Sequence, residues 1–317
     1  MNIYDAYYST LRIRRIEETI AARYSEQKMR CPTHLSIGQE LIPVVISNFL
    51  SVADKVFSTH RAHAHYLAKG GNLNALIAEL YGKKTGCTGG RGGSMHLSDL
   101  AAGFIASTAI VANSIPLAVG YALHQKLSGL PEITVCFFGE GATEEGAFYE
   151  SLNFAVLKKL PVLFVCENNR YSVYSNLSVR QPESRNINQL ASAIGAVSFH
   201  ANGNKFASLL QTCQQAIDTV RLGQGPAFIE LDTYRHREHC GPNYDDNLKY
   251  RPEAEVTHWL KLDPLTLMEA DLNKYPDFVE RKQAMLLKIE EEITNAFEFA
   301  EQSDFSSEEN FGTHLYA

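Results

Sequence analysis

Two apolar, β-favouring runs with one amphipathic segment between them constrain the fold of this chain most strongly. The runs are Ile133–Phe138 and Leu160–Cys166, and their continuous apolar character is typical of strands buried on both faces of a parallel sheet. The segment between them predicts a helix that Thr143 caps, with one apolar face made of Phe148, Leu152, Ala155 and Val156. A strand, a helix and a strand in this order form a βαβ unit. We therefore predict an α/β fold with a mostly parallel sheet and helices on both faces.

The remaining apolar patterns predict further elements before and after this unit. They are an amphipathic helix over residues 5–30, a second helix over 34–50, a short extended segment over 55–60, a helix over 206–222, a strand over 227–231 and a closing helix over about 276–303. Residues 82–93 are too rich in glycine for a regular element and form a loop, either ordered or flexible. Because no repeat or low-complexity linker interrupts the chain, residues 1–317 are predicted to form one domain with helical extensions, the first over about 1–50.

The balance of charges and the cysteine spacing exclude several classes of protein. The chain has 29 Lys and Arg against 36 Asp and Glu, a net charge of -7, and no basic block that could follow a nucleic acid backbone. Its six cysteines form no C-x-x-C pair, so we predict reduced thiols and neither a zinc knuckle nor a disulfide framework. The N-terminus has no apolar signal core, and no run reaches the roughly 18 apolar residues of a membrane span. We therefore expect a cytoplasmic protein.

Polar residues follow both strands of the βαβ unit. Gly139, Glu140 and Gly141 come after the first strand, and Asn168 and Asn169 come at the end of the second. In open parallel sheets, ligands bind at the carboxyl ends of the strands. Carboxylate and amide oxygens are hard ligands suited to Mg²⁺, which usually shares its coordination with phosphates. Either segment alone is better explained as a solvent-facing loop or a turn, and it is their combination that favours a metal site.

The stretch from Gly139 to Ser172, GEGATEEGAFYESLNFAVLKKLPVLFVCENNRYS, resembles a motif of a known enzyme family. It is similar to the thiamine diphosphate motif in the alpha subunits of pyruvate, acetoin and branched-chain 2-oxo acid dehydrogenases. Four other segments agree with that family in the same order: HLSIGQE at 34–40, HRAH at 60–63, YGKKTGCTGGRGGSMHL at 81–97 and ELDTYR at 230–235. The resemblance extends from about residue 5 to 300, and it implies the thiamine diphosphate-binding fold.

The resemblance also implies roles for individual residues. The carboxylate of Glu140, the amide of Asn169 and the backbone carbonyl of Tyr171 are expected to bind Mg²⁺. Arg61 is expected on the diphosphate, which its planar fork of donors suits. The complete set expected to bind thiamine diphosphate is His60, Arg61, Ala109, Val111, Gly139, Glu140, Gly141, Ala142, Asn169, Tyr171 and His239.

Two histidines are the candidate catalytic residues. His239 matches a histidine on a mobile loop that contacts the diphosphate, and His63 matches one that supports the site. The family pattern further implies that Gly141–Ala142 lie beside the diphosphate. It also implies that the backbones of Ala109 and Val111 touch the aminopyrimidine ring.

Three positions depart from the pattern of the family. Glu140 stands where aspartate is usual, and His60 stands where a tyrosine that binds the diphosphate is usual. Cys240 stands at the place of a regulatory phosphoserine in mitochondrial relatives, so we predict no kinase regulation there. His60, His63 and His65 alternate as if along a strand, and with Arg61 among them this pattern suits anion binding better than zinc.

The function implied by the resemblance is oxidative decarboxylation of a 2-oxo acid, of the pyruvate or acetoin type. The acyl fragment then passes to a lipoyl acyltransferase partner, and a beta subunit completes the site in an alpha-two beta-two heterotetramer. A decarboxylase or carbon–carbon ligase that uses the same cofactor without a lipoyl partner is an alternative. A non-catalytic regulatory paralogue is an alternative of another class.

Overall fold

The computed structural model of the chain describes residues 1–307 and is built around a six-stranded sheet. The strands are β1 (Lys55–Ser58), β2 (Phe104–Ser107), β3 (Thr134–Gly139), β4 (Val162–Asn168), β5 (Tyr171–Ser172), β6 (Ser175–Asn176), β7 (Val197–Asn202) and β8 (Ala227–Asp232). The helices are α1 (Ile3–Arg23), α2 (Leu41–Asn48), α3 (His63–Ala68), α4 (Leu73–Leu80), α5 (Ser114–Leu127), α6 (Gly146–Leu157), α7 (Leu177–Arg180), α8 (Ile187–Ile194), α9 (Phe206–Arg221), α10 (Glu253–Lys261), α11 (Pro264–Leu272) and α12 (Phe278–Gln302).

The strands of the main sheet are all parallel to their neighbours. Their order is β2-β1-β3-β4-β8-β7, and β5 and β6 form a separate antiparallel pair. From β1 the chain moves outwards to β2 and then returns to β3 on the other side of β1. The strand order therefore changes direction between β1 and β3, which is where open α/β sheets bind ligands. This arrangement confirms the predicted fold class.

Alternate residues of the central strand β4 bury themselves on opposite faces of the sheet. Val162, Phe164 and Cys166 pack in an apolar cluster with α5, α6 and α8. Leu163 and Val165 pack on the other face in a cluster with residues of α1, α2 and α9. Each large side chain removed from water in this way contributes on the order of 2 kcal/mol. Helices therefore cover both faces, as the unbroken apolar pattern of this strand predicted.

The second predicted helix is only partly correct, because α2 begins at Leu41 and residues 34–40 form a loop. Gly38 has a φ of 99°, and a Cβ at this position would overlap the carbonyl oxygen of Tyr234. The backbone amide of Ser36 donates to the carboxylate of Glu17 at 2.5 Å. This loop is therefore held by contacts with distant parts of the chain, whereas a helix would be held by local backbone hydrogen bonds.

Three local expectations were also wrong. Thr143 does not cap α6, since its hydroxyl donates to the carbonyl of Glu140 at 2.7 Å within a short 3₁₀ turn, and the helix begins at Gly146. The extended segment predicted over 55–60 ends at Ser58. His63 starts α3, so the alternating histidines do not follow a strand.

None of the helices in residues 1–307 has the length and apolar character needed to cross a membrane. All six cysteines are free thiols.

One buried carboxylate organises the glycine-rich loop that follows α4. Glu79 accepts hydrogen bonds from the backbone amides of Thr88 (2.8 Å), Gly90 (2.9 Å), Gly92 (2.7 Å) and Gly93 (3.1 Å). Gly90 and Gly93 have φ values of 78° and 58°, which favour glycine. The loop is therefore ordered around this side chain.

We expect Glu79→Gln to lower the free energy of unfolding by about 2 kcal/mol or more, because one amide oxygen cannot replace a carboxylate that accepts several buried backbone donors. Urea denaturation measures the change, with the exposed Glu298→Gln as the matched control. Hydrogen exchange of residues 82–93 should accelerate in the Glu79 variant alone. If the two variants have equal stability and equal exchange, Glu79 does not order the loop.

Candidate functional site

A cleft opens at the carboxyl ends of β1, β3 and β4. Most of the residues predicted for the site line it: His60, Arg61, Val111, Gly139, Glu140, Gly141, Ala142, Asn169, Tyr171 and His239. Ala109 and His63 are not part of this lining. Four residues that were not predicted also line the cleft: Gln39, Thr59, Glu167 and Ser172. The sheet thus brings together segments that are far apart in the sequence.

Pairing of β3 with β4 places a carboxylate next to an amide at one side of the cleft. Gly139 lies opposite Glu167 in the strand register, so Glu140 and Asn169 follow neighbouring strand ends. Glu140 is only 1% exposed, and burial raises the pKa of its carboxyl above its usual range while Arg180 opposes the shift. The buried oxygens of this pair are a suitable start for a cation site.

The amide of Asn169 is held in one orientation. Its Nδ2 donates to Oε1 of Gln39 at 3.2 Å, and its Oδ1 accepts from the backbone amide of Tyr171 at 3.1 Å. Between them, Arg170 adopts a φ of 70°, so the chain turns sharply as it leaves β4. This turn brings the backbone of Tyr171 to the cleft.

Three histidines meet at the other side of the cleft. The rings of His34, His60 and His239 lie 4.8 to 5.2 Å apart between centroids, and one ring nitrogen of each lies within 4.8 Å of the others. Burial, and next to it the charge of Arg61, lowers the pKa of His34 to about 2 and those of His60 and His239 to about 3. All three imidazoles are therefore neutral at pH 7, and each offers one N–H donor and one acceptor.

Arg61 ties the three histidine segments together. Its guanidinium donates to the carbonyl of Leu35 at 2.6 Å and to the carbonyl of His239 at 3.2 Å. Burial, together with the charge of Arg235, lowers the pKa of Arg61 to about 9, so it stays cationic at pH 7. Three imidazoles could in principle hold a transition metal. The buried cation beside them opposes a second cation, and this side of the cleft is suited to an anion.

The imidazole of His34 packs against His60 and His239 and does not itself line the cleft. Its Nδ1 is buried and lacks a hydrogen-bond partner among residues 1–307. Carboxylate and amide oxygens on one side and a cation with histidines on the other would together fit a metal-bound phosphate group.

His63 lies behind the cleft and is fully buried. Its Nδ1 is 2.6 Å from Oε1 of Glu17, and its Nε2 is 2.8 Å from the hydroxyl of Ser94. Ser94 also accepts a 3.3 Å hydrogen bond from the backbone amide of His34. A serine, a histidine and a carboxylate in a row resemble a hydrolase triad, but burial keeps a substrate away from this one. The geometry makes His63 a positioning residue for the loop of His34.

The loop that carries His239 is anchored on both sides. The backbone amide of Gly241 donates to the carbonyl of Thr33 at 2.8 Å. Further along, the buried carboxylate of Asp245 pairs with Arg235 and Arg251. These contacts hold the loop so that His239 lies at the cleft.

Comparison with known proteins shows the family to which the chain is similar. The family model described as the dehydrogenase E1 component matches residues 8–308. The alpha subunit of acetoin:2,6-dichlorophenolindophenol oxidoreductase from Bacillus subtilis is 33% identical over 98% of this chain and 92% of its own length. The pyruvate dehydrogenase E1 component subunit alpha of Rickettsia bellii is 32% identical over 98% and 94%. That of Porphyra purpurea is 38% identical over 82% and 76%.

The chain belongs to the dehydrogenase E1 component family. The match over nearly the whole chain confirms the resemblance that the motifs indicated, together with the enzyme class that the resemblance implied. This E1 chain is thus an oxidoreductase of the thiamine diphosphate-dependent 2-oxo acid dehydrogenase type.

The four unpredicted residues of the E1 chain lie inside or directly beside the motifs of the sequence. Gln39 lies inside the HLSIGQE segment, and Glu167 immediately precedes the asparagine pair. Thr59 and Ser172 are small residues next to predicted ones, and their presence in the lining follows from the shape of the loops. Position beside a motif would have found all four, whereas residue type alone would not.

The histidine cluster predicts a pH dependence of stability. Below pH 6.5 the unfolded chain binds protons at His34, His60 and His239, whereas the folded chain does not until about pH 3. Stability is therefore lost as the pH falls through this window, by about 1 kcal/mol per pH unit for each such histidine. His60→Gln should reduce that loss, and the exposed His124→Gln should not. Urea titrations at pH 7.0 and about pH 5.5 test this, and an equal loss in both variants would contradict it.

Proposed function

We propose that this chain is the alpha subunit of a 2-oxo acid dehydrogenase that binds thiamine diphosphate through Mg²⁺ in the cleft at β1, β3 and β4. The observation that carries the proposal is the pairing of two opposite chemistries in one cleft. Buried oxygen ligands at Glu140 and Asn169 lie on one side, and a buried guanidinium with neutral histidines lies on the other. A magnesium-bound diphosphate has both kinds of partner.

The proposed metal ligands are the carboxylate of Glu140, the amide oxygen of Asn169 and the backbone carbonyl of Tyr171. The hydrogen bond from Nδ2 of Asn169 to Gln39 supports this role, because it fixes the orientation of the amide. The amide oxygen accepts one hydrogen bond from the backbone of Tyr171 and keeps a second lone pair for a metal ion. Mg²⁺ needs few protein oxygens when phosphates supply others. Glutamate in place of aspartate lengthens the side chain and still provides the required oxygen.

The proposed diphosphate site is made by Arg61, His60 and His239, with Gly141–Ala142 alongside. Neutral His60 keeps one N–H, so it can replace the hydroxyl of the usual tyrosine as a donor. Arg61 can contribute its charge, because its backbone partners leave other guanidinium N–H groups available. Ala109 and Val111 are proposed to border the aminopyrimidine ring.

Thiamine diphosphate supplies an electron sink for the decarboxylation of a 2-oxo acid. The residues of this chain bind and orient it and exclude water from its diphosphate end. Val111 is 48% exposed, so the far side of the cleft is open to solvent in the single chain. An open side weakens electrostatic control, and we propose that a beta subunit covers it in an alpha-two beta-two heterotetramer.

The proposed substrates are pyruvate-like 2-oxo acids or acetoin, since the relatives' names cite pyruvate and acetoin. Transfer of the product to a lipoyl acyltransferase is proposed on the same basis of family membership. Retention of the carboxylate, the amide, the arginine and the loop histidine in one cleft argues against a non-catalytic paralogue. Cys240, exposed on the loop of His239, is proposed to leave that loop without kinase control.

Glu140→Ala is expected to weaken magnesium-dependent binding of thiamine diphosphate by on the order of 100-fold or more, since even indirect partners of metal ligands change affinity by about 10- to 100-fold. Isothermal calorimetry on the chain with its partner subunit measures the affinity. The exposed Glu150→Ala on α6 is the control and should bind as the wild type does. Equal affinity in the two variants would exclude Glu140 as a ligand.

The purified chain alone is expected to show no decarboxylation above the uncatalysed background, because one side of its cleft is open. Co-expression with a beta subunit encoded nearby should restore turnover of pyruvate or acetoin with an artificial electron acceptor. Sizing of the complex tests the alpha-two beta-two assembly. An enzymatic rate from the chain alone would contradict the subunit proposal.

A further inference from the structure

Arg180 makes a direct ion pair with the carboxylate that we propose as a metal ligand. One terminal nitrogen of its guanidinium donates to Glu140 and the other to Glu144. Its Nε donates to the carbonyl of Ser175 at 3.1 Å. The Arg180 side chain is 12% exposed, so three contacts hold a nearly buried cation at the edge of the cleft.

The position of Arg180 links this contact to the other proposed metal ligands. Arg180 ends α7, which directly follows the β5–β6 hairpin that Tyr171 opens. The backbone amide of Leu177 donates to the carbonyl of Arg170 at 2.8 Å, so this segment folds back over the strand end. A Cβ at Gly141 would lie 3.5 Å from the guanidinium. The cation therefore covers the turn between β3 and the proposed diphosphate site.

We propose that Arg180 is an internal counter-ion that competes with the metal for Glu140. This inference rests on the proposed function. A buried carboxylate needs a cationic partner, and the guanidinium meets that need at one oxygen of Glu140. A divalent ion at the same carboxylate repels the guanidinium at short range, so capture of the metal requires that Arg180 release Glu140.

Glu144 can keep the Arg180 side chain paired after it releases Glu140. Its carboxylate already pairs with the second terminal nitrogen of Arg180, and Gln181 also donates to it at 2.8 Å. Rotation of the guanidinium towards Glu144 keeps one ion pair when Glu140 turns to the metal. The guanidinium that bridges Glu140 and Glu144 can therefore release Glu140 and stay paired with Glu144.

Substitution of Arg180 should affect metal binding differently if its role is structural, if it orients Glu140 for the metal, or if it competes with the metal. Removal of an orienting residue weakens metal binding, whereas removal of a competing cation strengthens it. Arg185, in the connection between α7 and α8, is the matched control. It donates to the carbonyl of Thr143 at 2.7 Å and to the hydroxyl of Tyr149 at 2.9 Å, both uncharged oxygens.

The test is calorimetric titration of Mg²⁺ into the chain with its partner subunit at one fixed concentration of thiamine diphosphate, which gives an apparent Mg²⁺ affinity for the wild type, Arg180→Gln and Arg185→Gln. Arg180→Gln should bind Mg²⁺ about tenfold more tightly, the size expected when one nearby like charge is removed. Arg185→Gln should stay close to the wild type. Arg180→Lys keeps the charge but not the planar fork, and it should shift affinity in the same direction by less. This second variant keeps the test decisive if Arg180→Gln folds poorly.

Unchanged or weaker Mg²⁺ binding in both Arg180 variants would overturn the competition. Equal tightening in Arg185→Gln would overturn it as well, since the effect would then not be specific to the arginine that pairs with Glu140. Absence of saturable magnesium-dependent cofactor binding in the wild type would defeat the proposed function itself. That failure is visible before any variant is measured, so the two outcomes are distinguishable.

Discussion

Parallel hydrogen bonding between β3 and β4 is the interaction on which the rest of the site depends. It sets Gly139 opposite Glu167, and the residues that follow each strand must then meet at one edge of the sheet. Apolar clusters on both faces hold these two strands in the middle of the molecule. A slip in their register would move Glu140 away from Asn169, and the oxygen ligands would no longer be neighbours.

The chemistry of the cleft depends equally on the burial of its titratable side chains. Burial keeps His34, His60 and His239 neutral and leaves Arg61 as the dominant cation beside them. On the other side, burial raises the pKa of the Glu140 carboxyl, and a cation beside it stabilises its charged form. These two desolvated sides are complementary to an anion that carries its own metal. Behind the cleft, the buried hydrogen bonds that join Glu17, His63 and Ser94 position the loop of His34 without reaching the ligand.

Much of this could be predicted from the sequence, and the failures have physical reasons. The continuous apolar runs identified β3, β4 and β8, because strands buried on both faces lack polar positions. β7 was missed, since it is an edge strand whose residues are mostly part-exposed and give no such run. β2 is only four residues long. The loop before α2 was mistaken for helix because Gly38 is fixed by Tyr234, a contact that spacing along the chain does not reveal. Arg180 was missed because its partners lie 36 and 40 residues away.

The most direct test of the account is a crystal structure of the chain with its partner subunit, grown with thiamine diphosphate and Mn²⁺ as an anomalous substitute for Mg²⁺. We expect one anomalous peak per chain, bonded to Glu140, Asn169 and the backbone carbonyl of Tyr171, with the diphosphate between this ion and Arg61. A peak among His34, His60 and His239, or a diphosphate bound away from Arg61, would contradict it.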